Sequence, residues 1–300
     1  MPTRITDVLN IPRASHSDFE FVDVRLAPDT KLFIDPCLIA SGTDEWSLTA
    51  NSTIESYFDC FYSLYRNNSS NQEKLLLFEH AHEINATHLG YGNGNNGKAK
   101  TPAGMLSTFS NVPNLLQRGI PLSSACDLPL FIKDFAEDCL SDMLTNILLK
   151  SLMEFTIRQC DRYNAHTVPA PNGLYFWDTS ISFWNEYHGP CLMYDGQLLL
   201  LVPKRVVRNR YYFTADQFFR KIILTHLQEE SSWLDSNGKV QRLSKEDLRK
   251  NALKNRSTEN CILDYTTEKP SFLLDYHEKL PSYYSEKGMS DSALDDLLYN

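Results

Sequence analysis

The amino-acid sequence predicts an α+β fold: an N-terminal β-hairpin and a small sheet packed by a long central helix, with a helical region at the C-terminal end. β-rich runs bounded by turn residues occur near the N-terminus and again between residues 173 and 204. The segments between and after these runs repeat apolar residues at helical spacing. Strands and helices are therefore grouped along the chain, as in α+β proteins, and do not alternate as in βαβ folds.

The predicted hairpin lies near the start of the chain. Residues 19–26 (FEFVDVRL) and 31–35 (KLFID) are rich in residues that favour strands, and residues 27–30 (APDT) between them form a turn sequence. Pro36 cannot donate a backbone hydrogen bond, so the second strand is expected to end before it.

The longest helical pattern runs from Asp134 to Cys160 without Pro or Gly, and it predicts the central helix. Asp138, Asp142 and Asn146 lie four residues apart on it, so we expect them to line one edge of its apolar face. Such an edge suits a metal site or a polar network. Further helices are predicted over residues 48–65, 72–84, 105–118 and 215–230.

Aromatic residues between positions 173 and 194 predict short strands, and Asp195-Gly196 is a strong hairpin turn signal. Residues 197–204 (QLLLLVPK) then form a predicted buried strand. A boundary near residues 231–239 divides the chain into a predicted α+β core domain, residues 1–235, and a helical extension, residues 236–300.

The acidic end of this extension, residues 281–300, contains Pro281 and Gly288 and is expected to be poorly ordered alone. It nevertheless ends in an apolar stripe beside acidic residues. The stripe predicts a short helix that docks either in a groove of a partner or on its own domain. The stripe consists of Ala293, Leu294, Leu297, Leu298 and Tyr299.

Charge and cysteine usage narrow the class of protein. The formal net charge is −9, so general attraction to nucleic acid or an anionic membrane is not expected, and such binding would need a local basic patch.

The chain has seven scattered cysteines and no CxxC pair, which argues against a disulfide framework or a zinc knot. Its apolar runs are too short to span a bilayer, and no signal peptide is expected. A cytoplasmic location is predicted.

Three carboxylates and one lysine form the candidate catalytic set. Asp35 follows a predicted strand, Asp138 and Asp142 share the central helix, and Lys204 follows the buried strand. If these segments meet, Asp35, Asp138 and Asp142 would bind Mg²⁺, and Lys204 would orient water or offset charge during phosphodiester hydrolysis. The acid-x-Lys pair of restriction-type nucleases is absent, because Val202 stands two residues before Lys204. A buried polar network or a solvated edge is the alternative.

Four cations are the candidate nucleic-acid contacts. Arg205, Arg208 and Arg210 lie in a run with Lys204 that contains no acid, and aromatic residues follow directly, a combination that suits phosphate contact and base stacking. Lys98 lies in a loop rich in Gly and Asn, where backbone N–H groups could cradle phosphate. The alternatives are a strand end whose cations pair with nearby acids and a mobile surface loop.

Four segments together resemble a pattern found in uncharacterised bacterial proteins of restriction and phage-defence gene clusters. They are KLFIDP at residues 31–36, LGYGNGNNGK at 89–98, EDCLSDMLTNIL at 137–148 and LLLLVPKRVVR at 198–208. The resemblance implies a role beside partner proteins in defence against foreign DNA. No catalytic residue is carried over from it.

Two functions follow from these observations. In the first, the chain recognises or acts on nucleic acid within a defence system, with Mg²⁺-dependent hydrolysis as the candidate chemistry. In the second, it is a non-enzymatic adaptor that assembles with other defence proteins or with a second copy of itself, with the aromatic segment 173–194 and the acidic tail as binding surfaces. A basic groove lined by Lys98, Arg205, Arg208 and Arg210 would favour the first. Scattered cations and an exposed apolar patch would favour the second.

Overall fold

More than half of the residues are helical and a smaller part forms small antiparallel sheets, which confirms the predicted α+β class. The computed structural model describes residues 3–12, 15–82, 84–91, 101–133, 135, 137–254, 256–283 and 288–299. Within these ranges, no helix combines the length and the apolar character that a bilayer span requires.

The helices are α1 Ile5–Val8, α2 Pro36–Ser41, α3 Glu45–Arg66, α4 Asn71–Phe78, α5 Pro102–Thr108, α6 Val112–Gln117, α7 Leu128–Phe131, α8 Glu137–Ile147, α9 Leu149–Tyr163, α10 Ala215–Phe218, α11 Leu224–Glu230, α12 Lys245–Leu253, α13 Thr258–Glu268, α14 Ser271–Tyr283 and α15 Asp291–Tyr299. Many begin where a side chain caps them. Asp44, Ser70 and Thr214, for example, each accept a hydrogen bond from a first-turn N–H of α3, α4 and α10.

The strands are short: β1 Phe33–Ile34, β2 Val168–Pro169, β3 Tyr175–Asp178, β4 Phe183–Glu186, β5 Pro190–Tyr194, β6 Gln197–Leu199, β7 Val207–Arg208, β8 Trp233–Leu234 and β9 Val240–Gln241. They pair antiparallel as β1–β7, β2–β5–β6, β3–β4 and β8–β9. Asp195 and Gly196, both with positive φ, form the tight turn between β5 and β6 that the sequence predicts.

The predicted central helix is a pair of helices, α8 and α9, separated at Leu148. Both bury an apolar face, and Leu144, Leu148 and Leu152 are at most 1% exposed. The other long helix, α3, packs against them and contributes several aromatic side chains to the core. The pair α8–α9 and helix α3 therefore form the centre of the fold, as the apolar spacing predicts.

The two N-terminal runs pair differently from the predicted hairpin. In the second run, Phe33 and Ile34 pair with Arg208 and Val207 of β7, and in the first run Phe21 bridges to Pro203. Both runs therefore lie along the segment that follows β6. Phe21, Phe33 and Ile34 are fully buried. Pairing with a distant buried segment covers these side chains more completely than a two-stranded hairpin could.

The C-terminal helices share the hydrophobic core with the rest of the chain. Ile262 of α13 and Leu273 and Tyr276 of α14 are fully buried, and the Tyr276 ring lies 5.0 Å from that of Phe218 in α10. Helices on both sides of the predicted boundary at residue 235 therefore share one core. The hairpin β8–β9 occupies this position.

The acidic tail, predicted to be poorly ordered, carries helix α15. Leu294 and Leu298 are at most 2% exposed. Asp295 accepts hydrogen bonds from the backbone N–H of His16 at 3.0 Å and from its imidazole at 2.5 Å. The Tyr299 hydroxyl donates to Asp23 at 3.0 Å. The helix thus docks on the N-terminal segment of its own chain, one of the two arrangements that its apolar stripe allowed.

Candidate functional site

Asp35 lies at the end of β1, and its carboxylate is fully buried. One oxygen accepts hydrogen bonds from the backbone N–H groups of Cys37 and Leu38 at 2.8 and 3.4 Å, which caps helix α2. The other oxygen lies 3.5 Å from the guanidinium of Arg208. The carboxylate therefore caps a helix and pairs with a buried cation, which explains why an acid lies in the core.

The predicted acidic edge forms on α8 and faces the chain segment from His82 to Tyr91. Asn146 is buried and donates a side-chain hydrogen bond to the His82 carbonyl. Gly90, at φ +134°, approaches so closely that a Cβ there would lie 2.8 Å from Asp138 Oδ1. Burial and the nearby carboxylates of Glu137 and Asp138 raise the pKa of the Tyr91 hydroxyl. The edge is therefore electronegative, half-buried at Asp138 and Asp142 and buried at Asn146.

Asp35 lies near this acidic edge because the preceding residue, Ile34, contacts α8. The backbone N–H of Ile34 donates to Ser141 Oγ at 3.0 Å, so the end of β1 lies against the middle of α8. Within the ranges that the structure describes, no three His, Cys, Asp or Glu side chains are spaced to hold a metal ion. The Asp35 carboxylate is committed to the α2 cap and to Arg208, so the three predicted ligands do not form one set.

Lys204 points to another part of the molecule. Its ammonium lies 2.7 Å from Asp291 at the start of α15 and donates to the His16 carbonyl. Its side chain is 22% exposed. Lys204 therefore helps to hold the tail helix against the N-terminal segment, and these contacts do not direct it to the Asp138–Asp142 edge.

The three arginines of the predicted basic patch face different surroundings. Arg205 pairs with Asp44 at 2.6 Å and lies over the Trp46 ring at 5.5 Å. Arg208 is 7% exposed, with its guanidinium 4.2 Å from the centre of the Tyr212 ring. Arg210 is exposed. Lys98 lies outside the described residues. The described arginines thus form no common basic surface, and Arg205 and Arg208 are paired with acids, as the alternative interpretation of the run expects.

The hairpin β8–β9 exposes an apolar surface that the sequence analysis did not identify. Three side chains of the hairpin and that of Leu243, which follows it, are between 37% and 67% exposed. The three are Trp233, Leu234 and Val240. The signal was the Asn237-Gly238 pair between a Trp-Leu run and Val240, a typical hairpin sequence that we interpreted as a domain boundary.

A cavity of about 460 Å³ is the second feature that the sequence analysis did not find. Cys37 and Cys126 lie on its wall with their sulfur atoms 2.8 Å apart, although 89 positions separate them in the sequence. His277 of α14 also lines it and contacts the buried Asp127 through Nε2 at 2.5 Å. No local sequence pattern links residues this far apart, so only the tertiary fold reveals the cluster.

A family model described as a domain of unknown function (DUF8370) matches residues 10–214. This range includes Asp35, the acidic edge and the basic run, and it ends before α10, so that the hairpin β8–β9, His277 and the tail helix lie beyond it. No curated protein and no solved structure matches the chain.

Proposed function

This chain belongs to the DUF8370 family, and we propose that it is a non-enzymatic interaction subunit of a bacterial anti-phage defence system. It acts in the cytoplasm and binds a neighbouring protein of that system through the hairpin β8–β9. The defence role rests on the resemblance of its four sequence segments to proteins of defence gene clusters. The cytoplasmic location is supported by seven cysteines, none of them in a disulfide.

The exposed apolar surface of the hairpin is the observation that carries the proposal. Trp233, Leu234 and Val240 are each at least half exposed. Burying such side chains against a partner is favourable by about 25 cal/mol per Å² of apolar area. Large aromatic residues are also frequent among the residues that dominate binding at protein interfaces.

The hairpin is held in shape before any partner binds. The Asp235 carboxylate accepts hydrogen bonds from the backbone N–H groups of Asn237 and Lys239, both at 2.9 Å, and from the Gln241 side chain at 2.8 Å. Hydrogen bonds from Gln241, Lys239 and Asn237 also lower the pKa of Asp235. An ordered surface loses less conformational entropy on binding, which favours association.

The expected contact is the addition of a strand. In the described part of the chain, β8 and β9 pair only with each other. An antiparallel strand from the partner would hydrogen-bond to an outer edge of the hairpin, while its apolar side chains cover Leu234 and Val240, which are paired across the two strands. The arrangement of the arginines also supports an interaction role, because Arg205 and Arg208 already have acidic partners.

Co-expression with the products of the adjacent genes, one at a time, tests the proposal. Size-exclusion chromatography with light scattering should give the mass of a complex with one of them. Replacing Trp233, Leu234 and Val240 together by Thr should abolish co-elution, while β-branched Thr preserves strand propensity. Matched controls are Leu48→Thr and Leu274→Thr, at helix positions that are 59% and 53% exposed, and both should retain the complex.

Two results would remove the proposal. One is a triple variant that co-elutes as well as the wild type. The other is a wild-type chain that elutes apart from every neighbouring product. A mass equal to a multiple of this chain alone would replace the partner protein with a second copy.

The second candidate function is Mg²⁺-dependent phosphodiester hydrolysis. The observation in its favour is the half-buried acidic edge, where Asp138 and Asp142 lie one helical turn apart and Gly90 approaches Asp138 closely. In this function, Asp138 and Asp142 hold the ion, which offsets negative charge on the phosphoryl oxygens.

Asp138→Asn and Asp142→Asn should then each abolish Mg²⁺-dependent cleavage of DNA and RNA, because an amide binds Mg²⁺ far less well than a carboxylate. Asp161→Asn, an exposed position on the next helix, serves as the control and should leave cleavage unchanged. Cleavage that survives in both edge variants would exclude this site.

A further inference from the structure

The inference concerns the cavity lined by Cys37, Cys126 and His277, and it is independent of the proposed function. The two cysteines come from separate elements, because Cys37 lies in the first turn of α2 and Cys126 lies in a 3₁₀ turn before α7. Their sulfur atoms are 2.8 Å apart. A disulfide bond is about 2.05 Å long, so closure requires a shift of only about 0.8 Å between these atoms.

The cavity gives this pair of sulfur atoms access to a small molecule. Its volume is about 460 Å³. The exposed fractions of Cys37 and Cys126 are only 8% and 5%, and both line the cavity wall, so a reagent reaches them through the cavity. The walls also carry Ser124 and the carboxyl groups of Glu55 and Asp59. These polar groups stand among apolar side chains such as Ile54 and Phe58, so the cavity offers both kinds of contact to a small disulfide.

The imidazole of His277 provides an acid–base group on the same wall. Its Nε2 is 2.5 Å from Asp127, whose other oxygen accepts hydrogen bonds from the backbone N–H groups of Ser123 and Ser124, both at 2.8 Å. Asp127 is therefore held firmly and fixes the orientation of the ring. The ring therefore supplies an acid–base group to the same cavity that holds the two thiols.

We propose that Cys37 and Cys126 form a thiol–disulfide exchange site that reduces a low-molecular-weight disulfide and becomes an internal disulfide. One cysteine thiolate attacks a sulfur of the small disulfide, breaking its S–S bond and releasing one small thiolate. The second cysteine thiolate attacks the protein sulfur of the mixed disulfide and releases the other. Two protein thiols are oxidised, one small disulfide is reduced to two thiols, and the two cysteine protons pass to the released thiolates.

Glutathione disulfide is the probe for this site. The folded full-length chain is incubated with it, the remaining thiols are blocked by alkylation, and the peptides are mapped by mass spectrometry. The expected product is a Cys37–Cys126 cross-linked peptide lighter by two hydrogens. In Cys126→Ala, Cys37 should instead retain a glutathione adduct, because the resolving thiol is absent. Cys191→Ala, a buried cysteine that does not line this cavity, should still form the cross-link.

Thermal unfolding gives an independent readout. A new cross-link that closes a loop of about 90 residues should raise Tm by roughly 5–10 °C, reversibly on adding dithiothreitol, and this rise should be absent in Cys126→Ala. The proposal is overturned if the wild-type cysteines remain alkylatable at equilibrium. It is also overturned if other cysteine pairs are linked to the same extent or if the oxidised chain keeps the Tm of the reduced chain.

Discussion

Asp35 shows what sequence can and cannot reveal about a single side chain. The sequence shows that Asp35 follows a β-rich run, and from this position we predicted a Mg²⁺ ligand. Its use as a helix cap and as the partner of Arg208 depends on a segment more than 170 positions later, and no local pattern predicts that pairing. Two N–H donors and a nearby cation offset part of the cost of burying this carboxylate.

Lys204 and the three arginines illustrate the same limit for cations. Their run contains no acid, so the sequence indicates a basic patch. The acids that pair with them, Asp291 with Lys204 and Asp44 with Arg205, come from distant parts of the chain. A local charge count therefore overestimates the basic surface whenever tertiary contacts supply the counter-charge.

His277 leads to a prediction about pH. Burial lowers the pKa of its imidazole, but the hydrogen bond to Asp127 and the charge of that carboxylate outweigh burial, so the net pKa is raised above the ordinary 6.5. A pKa that is higher in the folded chain stabilises the folded state fully below about pH 6.5, and this stabilisation is lost as the pH rises through the raised pKa.

The free energy of unfolding of the wild-type chain should therefore exceed that of the His277→Gln variant. The difference should be largest at about pH 5.5 and should shrink towards about pH 8. Denaturant titrations of both proteins across this range measure it. The carboxyl groups of Glu55 and Asp59 and the thiols of Cys37 and Cys126 also line the cavity, and both proteins carry these groups unchanged. A difference that is constant with pH would contradict the role given to Asp127.

At the scale of elements, apolar periodicity predicted where the helices lie in the sequence, but not which surfaces they pack against. The pattern at residues 134–160 predicted one long helix, and the structure has two, α8 and α9, whose buried faces carry the expected Leu and Met residues. The same kind of pattern in α15 could not show whether the stripe docks on a partner or on its own chain, because both arrangements bury the same residues. The contacts with His16 and Asp23 resolve that choice.

The docking of α15 predicts a contrast between neighbouring leucines. Leu294→Ala and Leu298→Ala should each lower the free energy of unfolding by about 2–5 kcal/mol, because these fully or nearly fully buried side chains would leave cavities. Leu297→Ala in the same helix is the control, since Leu297 is 42% exposed and should change stability by no more than about 0.5 kcal/mol. Urea titrations measure all three, and equal small effects would mean that α15 contributes little to the core.

At the scale of the whole molecule, the main difference from the prediction is that the C-terminal helices pack into the same core as the rest of the chain. The family match ends at residue 214, yet α13 and α14 complete the same core, and α15 covers the N-terminal segment. Sequence composition indicated a separate helical extension because charged residues dominate its exposed faces. Its buried positions, such as Leu273 and Tyr276, recur at helical spacing, which indicates an apolar face but not the surface against which that face packs.

The hairpin β8–β9 differs from this continuous core because its apolar side chains are exposed. Its turn is fixed by Asp235, and its exposed side chains lie beyond the range of the family match. We expect residues outside the shared family region to differ more among members than the core does. A hairpin in such a position suits recognition of a partner specific to each system.

Amide hydrogen exchange of the purified chain, alone and with the adjacent gene product that co-elutes with it, tests the central claim most directly. Our account predicts that binding slows exchange in residues 232–243, where a partner strand would hydrogen-bond to the hairpin and cover Trp233, Leu234 and Val240. Slower exchange confined to the Asp138–Asp142 edge and the facing segment 82–91, with the hairpin unchanged, would contradict the claim and place the functional surface at the acidic edge.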